Sequence, residues 1–335
     1  MDFISKLHDE NVHTTQNDNI NIKHDFTRIL KNDTPRLKYY KNGNKLKSVI
    51  HWGQRKLLMV EIEFLTNFSD EYDTVLYAGA APGNHIYTLA KMFPTLKFIL
   101  FDVNEFSVKQ TNNIKIYKQY FTDETAKLFE NRDDILFISD IRTAQPLKMG
   151  PEEIELRVEK DNNSQKDWYK ILNCKKTMLK CRLPWSVSPY NKFAKKDTKK
   201  TWVTEGGEKF CYLKGDIYIQ PWAPQSSTEF RLVLGPYDKN KGPEMTVYNN
   251  TEYEEKMFYF NNCIRPSIFE HNVKLTGLDK CYDCTSEVYI LTRYLERYSE
   301  PEVLTSNRIN KEVAELSKSI CKSLGNKKLL SLINI

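Results

Sequence analysis

Four ionisable side chains sit in otherwise apolar sequence: Lys56, Asp140, Lys180 and Glu229. Asp140 ends Leu-Phe-Ile-Ser-Asp, Lys180 lies within Met-Leu-Lys-Cys, and Glu229 opens Glu-Phe-Arg-Leu-Val. Charges in such settings need partners. Singly, each reads as a solvated strand end or half of an ordinary ion pair. Converging, two amines and two carboxylates would make a proton-handling centre. An amine takes a proton only when neutral, and at an ordinary pKa of ~10.4 roughly one lysine in a thousand is neutral near pH 7.4. A lysine base must therefore be desolvated and set beside another cation.

A second signal is Gly79-Ala-Ala-Pro-Gly83, between the apolar run Val75-Leu-Tyr77 and the helical spacing of Ile86, Leu89 and Met92. Glycine lets a ligand approach the backbone closely, and the helix N-terminus beyond is electropositive. Turn geometry alone would also explain these glycines. About 20 residues on, Asp102 ends the next strand, where a carboxylate can accept both hydroxyls of an adenosine ribose. This fits a nucleoside-containing cofactor without separating a dinucleotide from S-adenosylmethionine.

The elements that must position these groups alternate. A helix from Gln54 precedes strands at 75–77, 96–101, 114–117 and 135–138, with helices after the first and third, the latter over 123–129. A surface helix over 152–173 leads to strands at 178–183, 216–220 and 229–234. Such alternation predicts an α/β fold with a doubly wound, mostly parallel seven-stranded sheet. Residues 1–45 read as an irregular arm, docked by Phe3, Ile4 and Leu7, and 46–265 as the α/β domain. Residues 266–335, with helices over 286–298 and around Val313 to Leu324, read as a helical extension packed on that domain.

Composition bounds the class. With 40% hydrophobic and 12% aromatic residues among 335, the chain can build a core. No apolar run approaches the ~18 residues of a spanning helix, so neither a membrane span nor a secretory segment is expected. Seven scattered Cys point to reduced thiols in a cytosolic compartment. Cys281-Tyr-Asp-Cys284 has ligand spacing but no second pair to complete four ligands, so buried thiols are preferred and no metal is expected. The net charge of +6 decides little, although five lysines and two aromatics between Lys192 and Trp202 suit phosphate contacts.

The motifs Gly53-Gln-Arg-Lys-Leu-Leu, Gly79-Ala-Ala-Pro-Gly-Asn-His-Ile, Ile138-Ser-Asp-Ile-Arg, Leu179-Lys-Cys-Arg-Leu-Pro-Trp, Gln220-Pro-Trp-Ala-Pro, Glu229-Phe-Arg-Leu and Tyr253-Glu-Glu-Lys occur in order. Together they resemble the poxvirus cap-specific mRNA nucleoside 2′-O-methyltransferases, a family that also supplies the small subunit of the viral poly(A) polymerase. The resemblance runs from about residue 50 to 265 and is poor in the arm, in 143–170 and in the tail. It implies a Rossmann-like class I methyltransferase using S-adenosylmethionine, with Lys56, Asp140, Lys180 and Glu229 as catalytic tetrad; within it Lys180 is expected to be the base, with Asp140 and Glu229 orienting the lysines. It implies a cofactor site of Gln54, Tyr77, Gly79, Gly83, His85, Asp102, Asn104, Phe121 and Asp140. Asn104 stands where the family has Arg, Thr122 is the alternative to Phe121, and His85 reads equally as a helix cap.

For substrate, the resemblance implies a capped-mRNA site of Trp185, Tyr39 or Tyr40, and Glu254, with Arg142, Arg182 and Ser227 beside the RNA. A methylated guanine is cationic and stacks between aromatic faces. The second acid expected after the strand-five aromatic is replaced by Ser186-Val-Ser188. A viral poly(A) polymerase catalytic subunit is the implied protein partner, in virions and host cytoplasm. Two other readings remain: a non-catalytic RNA-binding processivity subunit, and a nicotinamide-dependent dehydrogenase. The turn lacks the three-glycine fingerprint of the last.

Overall fold

The structure, a computed structural model, describes residues 24–38, 53–145, 147–185, 208–223, 227–275, 278, 280–301 and 305–325. Helix α1 (Gly53–Phe68) precedes β1 (Thr74–Ala78), α2 (Ile86–Met92), β2 (Lys97–Phe101), β3 (Ile114–Tyr117), α3 (Asp123–Lys127), β4 (Ile135–Ser139), α4 (Pro151–Leu172) and β5 (Lys176–Cys181). Then follow β6 (Lys209–Leu213), β7 (Asp216–Tyr218), β8 (Phe230–Leu234), β9 (Met245–Asn249), α5 (Asn250–Tyr259), a π-helical turn (Phe260–Ile264), α6 (Tyr282–Tyr298) and α7 (Ser306–Ser323).

Seven strands form one sheet in the order β3-β2-β1-β4-β5-β8-β7. The first five pair parallel, and β8 runs antiparallel between β5 and β7. This is the expected doubly wound, Rossmann-like sheet. Both faces are covered, so β1 is buried at every position. Alternate residues serve opposite cores: Val75 and Tyr77 pack with α1, α2, α6 and α7, whereas Leu76 and Ala78 pack with α3, α4 and α5.

Several boundaries differ from the sequence expectation. Thr122, not Asp123, caps α3, its hydroxyl accepting from the Thr125 amide. Helix α6 begins at Tyr282 rather than 286, with Cys281 at its cap and Cys284 inside, both buried in the core. The β6–β9 ribbon was not anticipated, because its strands mix polar and half-exposed apolar residues. Phe3, Ile4 and Leu7 lie outside the described residues. The described part of the arm docks through Phe26, Arg28 and Leu30: the Leu30 amide donates to Ile217 O at 2.8 Å on the β7 edge, and Ile29 bridges Tyr218. Among the described residues, no helix is long and apolar enough to cross a membrane.

Candidate active site

The order reverses between β1 and β4, and the carboxyl ends of adjacent strands there form a crevice suited to ligands. Gly79 leaves β1 at φ +79°, and a Cβ on it would lie 2.8 Å from Ile141 N in the loop leaving β4. Only glycine lets those two exits pass so closely. Beside them opens a cavity of about 670 Å³, lined by Gly79, Asp102, Asn104, Phe121, Asp140 and Arg142 among others.

Asp102 is pre-ordered at the cavity: Oδ2 accepts from Ala81 N at 3.1 Å, and Oδ1 accepts from the amide and side chain of Asn104, each at 2.9 Å. Phe121 meets Trp168 edge-on at 4.9 Å and forms an apolar wall. Gln54, Tyr77, Gly83 and His85 are not among its lining residues. Gln54 Oε1 accepts from His85 N at 3.2 Å and lies 2.8 Å from His85 Nδ1. His85 Nε2 lies 2.9 Å from Glu61, which accepts the Tyr77 hydroxyl at 2.7 Å. Tyr77 and His85 are each 1% exposed and line no part of this cavity. Joined through Glu61, they form a buried hydrogen-bonded pair next to the glycine turn. His85 stands at the N-cap of α2 but makes no side-chain cap bond. Gly83, at φ +69°, has the Val108 side chain 2.9 Å from a notional Cβ.

Beyond Asp140 the structure brings the four charged residues together. Lys56 Nζ donates to Glu229 Oε1 at 2.8 Å, and Lys180 Nζ lies 3.3 Å from Asp140 Oδ1 and 3.7 Å from Glu229 Oε2. Their side chains are 11–19% exposed. A fifth charge lies beneath, which the sequence reading quoted within a motif without assigning it a role. Arg231 is 1% exposed and donates to Asp140 at 2.6 Å. It faces Lys180 directly across the β5–β8 pair. Like charges in that register repel, so the shared Asp140 is what makes the pairing tenable. Gln220 completes the layer, accepting from Arg231 Nε at 3.0 Å and donating to Glu229 Oε1 at 3.1 Å. The legible signal for Arg231 was an arginine two residues after Glu229 in an apolar strand, on the same strand face.

Sharing two carboxylates among three cations sets the electrostatics. Burial pushes the Lys56 amine below its ordinary pKa, and Arg231 and Lys180 add to this against Glu229. Burial alone would raise the Asp140 pKa, but Arg231 and Lys180 outweigh it and hold the group below the usual value. Glu229 likewise lies well below its usual range, with Lys180, Lys56 and Arg231 outweighing burial. Both carboxylates stay ionised at neutral pH.

The expected substrate residues divide. Trp185 Nε1 donates to Glu254 at 3.0 Å, and Glu155 accepts from both Trp185 N (3.0 Å) and Arg182 (2.9 Å). Burial raises the Glu254 pKa, the Trp185 bond opposing it. Arg142 lies 3.6 Å from Asp161 and 4.0 Å from Glu229, its terminal nitrogens buried without a close hydrogen bond. The Ser227 hydroxyl accepts from the Glu229 amide at 3.2 Å. Tyr39, Tyr40 and the lysine run 192–202 lie outside the described residues. Helix α4, poorly matched by any motif, supports β5: Gln165 and Asn162 donate to Lys180 O and Arg182 O, each at 2.9 Å.

A cap-specific mRNA (nucleoside-2′-O-)-methyltransferase of Fowlpox virus is 30% identical over 233 residues, 64% of this chain and 68% of the relative. One of Myxoma virus is 28% identical over 241 residues, 66% of this chain and 64% of the relative. The matched stretch thus spans about two thirds of these relatives. The solved structure of human methyltransferase-like protein 13 in complex with SAH overlaps 61% of this chain and 90% of its own at 10% identity and TM-score 0.29, too low to carry an argument about function. A family model described as poly A polymerase regulatory subunit matches residues 26–326. Since that match covers most of its length, the chain belongs to the poly(A) polymerase regulatory subunit family.

Proposed function

We propose that this chain methylates the ribose 2′-hydroxyl of the first transcribed nucleotide of capped mRNA, with S-adenosylmethionine as donor. The observation that carries this reading is the meeting of Lys56, Lys180 and Glu229 with Asp140, which itself lines the crevice cavity. S-adenosylmethionine, when bound, supplies an electrophilic methyl on a cationic sulfur. The cavity suits its adenosine: about 670 Å³, an acid at the end of β2, an apolar wall at Phe121 and a close backbone approach at Gly79. The similar poxvirus proteins, named for this same activity, support the same chemistry.

The chain's own residues then divide the work. Asp140 lines the cavity and lies 3.3 Å from the Lys180 amine, which favours Lys180 over Lys56 as the group that takes the hydroxyl proton. Lys56 and Arg231 hold Glu229 and Asp140 in place, and the carboxylates stabilise the Lys180 ammonium that forms. Alignment of hydroxyl, amine and methyl carbon supplies much of the rate. The Trp185 face, with Glu254 at its edge, suits the cationic guanine of a cap. Arg142 and Arg182 suit its phosphates.

The test is incubation with labelled methyl donor and capped or uncapped short RNA, followed by nuclease digestion and mass spectrometry. Label on the 2′-oxygen next to the cap is expected, and label elsewhere or none would overturn the reading. The family match supports a second role as partner of a poly(A) polymerase, which we read as a processivity role and test by pull-down with the polymerase subunit and tail-length assay. The poxvirus origin of the relatives supports action in host cytoplasm, and we extend this to virions.

A further inference from the structure

Glu287 of α6 is fully buried and bonds three separate elements. Oε2 accepts from Arg55 Nε at 2.8 Å and from Trp222 Nε1 at 2.9 Å. Oε1 accepts a second guanidinium bond from Arg55, and the Ser317 hydroxyl of α7 at 2.7 Å. The positions of these donors matter. Arg55 immediately precedes Lys56 in the first turn of α1. Trp222 lies two residues from Gln220, which donates to Glu229. The same end of α6 adds Asp283, which accepts from Trp222 N at 3.1 Å and pairs with Arg265, whose Nη2 donates to Gln220 O at 3.3 Å.

The segment that carries Lys56 and the segment that braces Glu229 are thus both tied to the Glu287 carboxylate of α6, with Asp283 adding a second tie to the latter. The 2.8 Å bond between Lys56 and Glu229 requires a fixed separation of those segments. Both Glu287 oxygens are hydrogen-bonded, and a buried carboxylate so held fixes a separation more tightly than apolar packing, which tolerates sliding. We propose that Glu287 is a positioning residue for the tetrad, setting the distance between the α1 turn that carries Lys56 and the Gln220–Trp222 segment that braces Glu229. The proposal rests on reading the tetrad as the methyl-transfer centre and makes the C-terminal helices part of its alignment. Glu287 itself touches neither substrate nor cofactor.

The experiment compares Glu287→Gln, Trp222→Phe and Val313→Ala in the full chain. Val313→Ala loosens buried packing of α7 and removes no hydrogen bond to Glu287. Two readouts are taken: kcat and KM for capped RNA, and the titration of Lys56 in spectra of chain carrying ¹³C-labelled lysine. The charged groups acting on Lys56 are Glu229, Arg231, Lys180 and Asp140, so its titration reports their spacing. We expect Glu287→Gln to lower kcat about 10- to 100-fold with KM within about twofold, as a misplacement of order 1 Å does. Its Lys56 titration moves as well. Trp222→Phe shifts both measures less, in the same direction, and Val313→Ala leaves both unchanged. Folded Glu287→Gln with wild-type kcat and titration overturns the proposal, as does an equal kcat loss in Val313→Ala. Should Glu287→Gln fail to fold, wild-type values in Trp222→Phe overturn it. If the wild-type chain transfers no methyl group, the functional reading fails separately, while the Lys56 titration still decides the positioning.

Discussion

Two charge clusters share this molecule and differ in closure. At the crevice, Lys56, Lys180 and Arg231 divide Asp140 and Glu229 among them, and four of the five side chains keep 11–19% exposure. Between the arm, α1 and α6, Arg28 has Glu63 to itself at 2.9 Å, with side chains 5% and 4% exposed, and also bonds the Tyr282 hydroxyl at 2.6 Å. The sealed pair is saturated and has nothing left to offer a ligand. The crevice cluster has more cations than carboxylates and a cavity beside it. Charge sharing next to a cavity, rather than burial alone, distinguishes groups available for chemistry from groups that join elements together.

The contrast predicts opposite losses. Lys180→Ala should lower methyl transfer by about 10³-fold, within the usual range for removing a general base, while thermal unfolding stays within a few degrees of wild type. Retained transfer, or collapse of the fold, would erase the distinction. Arg28→Ala should do the reverse, costing about 3–5 kcal/mol in urea unfolding because Glu63 is left buried and unpaired. Its kcat per folded molecule should be unchanged. Trp185→Ala should weaken capped-RNA affinity about tenfold, as loss of ~1–2 kcal/mol of cation stacking does, and leave uncapped-RNA affinity alone. Titration gives the finest test. The folded-state pKa of Glu229 is depressed, so its contribution to stability is present above the ordinary value of 4.5 and is lost as pH falls below it. The stability gap between wild type and Glu229→Gln should therefore be widest near neutrality and shrink below about pH 4.5. A gap independent of pH would count against charge sharing.

Much of this arrangement could be read from the chain. The apolar runs around Leu76, Ile99, Phe137 and Leu179 gave the strands, because a parallel strand covered on both faces has no polar alternation to obscure it. Gly79 and Asp102 marked the crevice through spacing alone. Arg231 was harder to assign, since its role depends on cross-strand register with Lys180, and register is not written in either strand. The bracing by Glu287, Asp283 and Arg265 joins residues far apart in sequence and could be seen only once α6 had docked. The Glu61 carboxylate that joins Tyr77 and His85 was equally hidden, because it comes from α1 and meets them only after packing. The β6–β9 ribbon escaped because Met245 and Val247 face outward, leaving no half-buried alternation to detect.

The seating of Leu30 and Ile29 against β7 carries a consequence for solubility. Outermost strands present bare amides and carbonyls that recruit strands from other molecules. Here the chain's own early segment occupies part of that border through the Leu30–Ile217 and Ile29–Tyr218 pairings. A shortened protein starting after residue 38 would uncover the border and should self-associate in proportion to its concentration, even with every catalytic group in place.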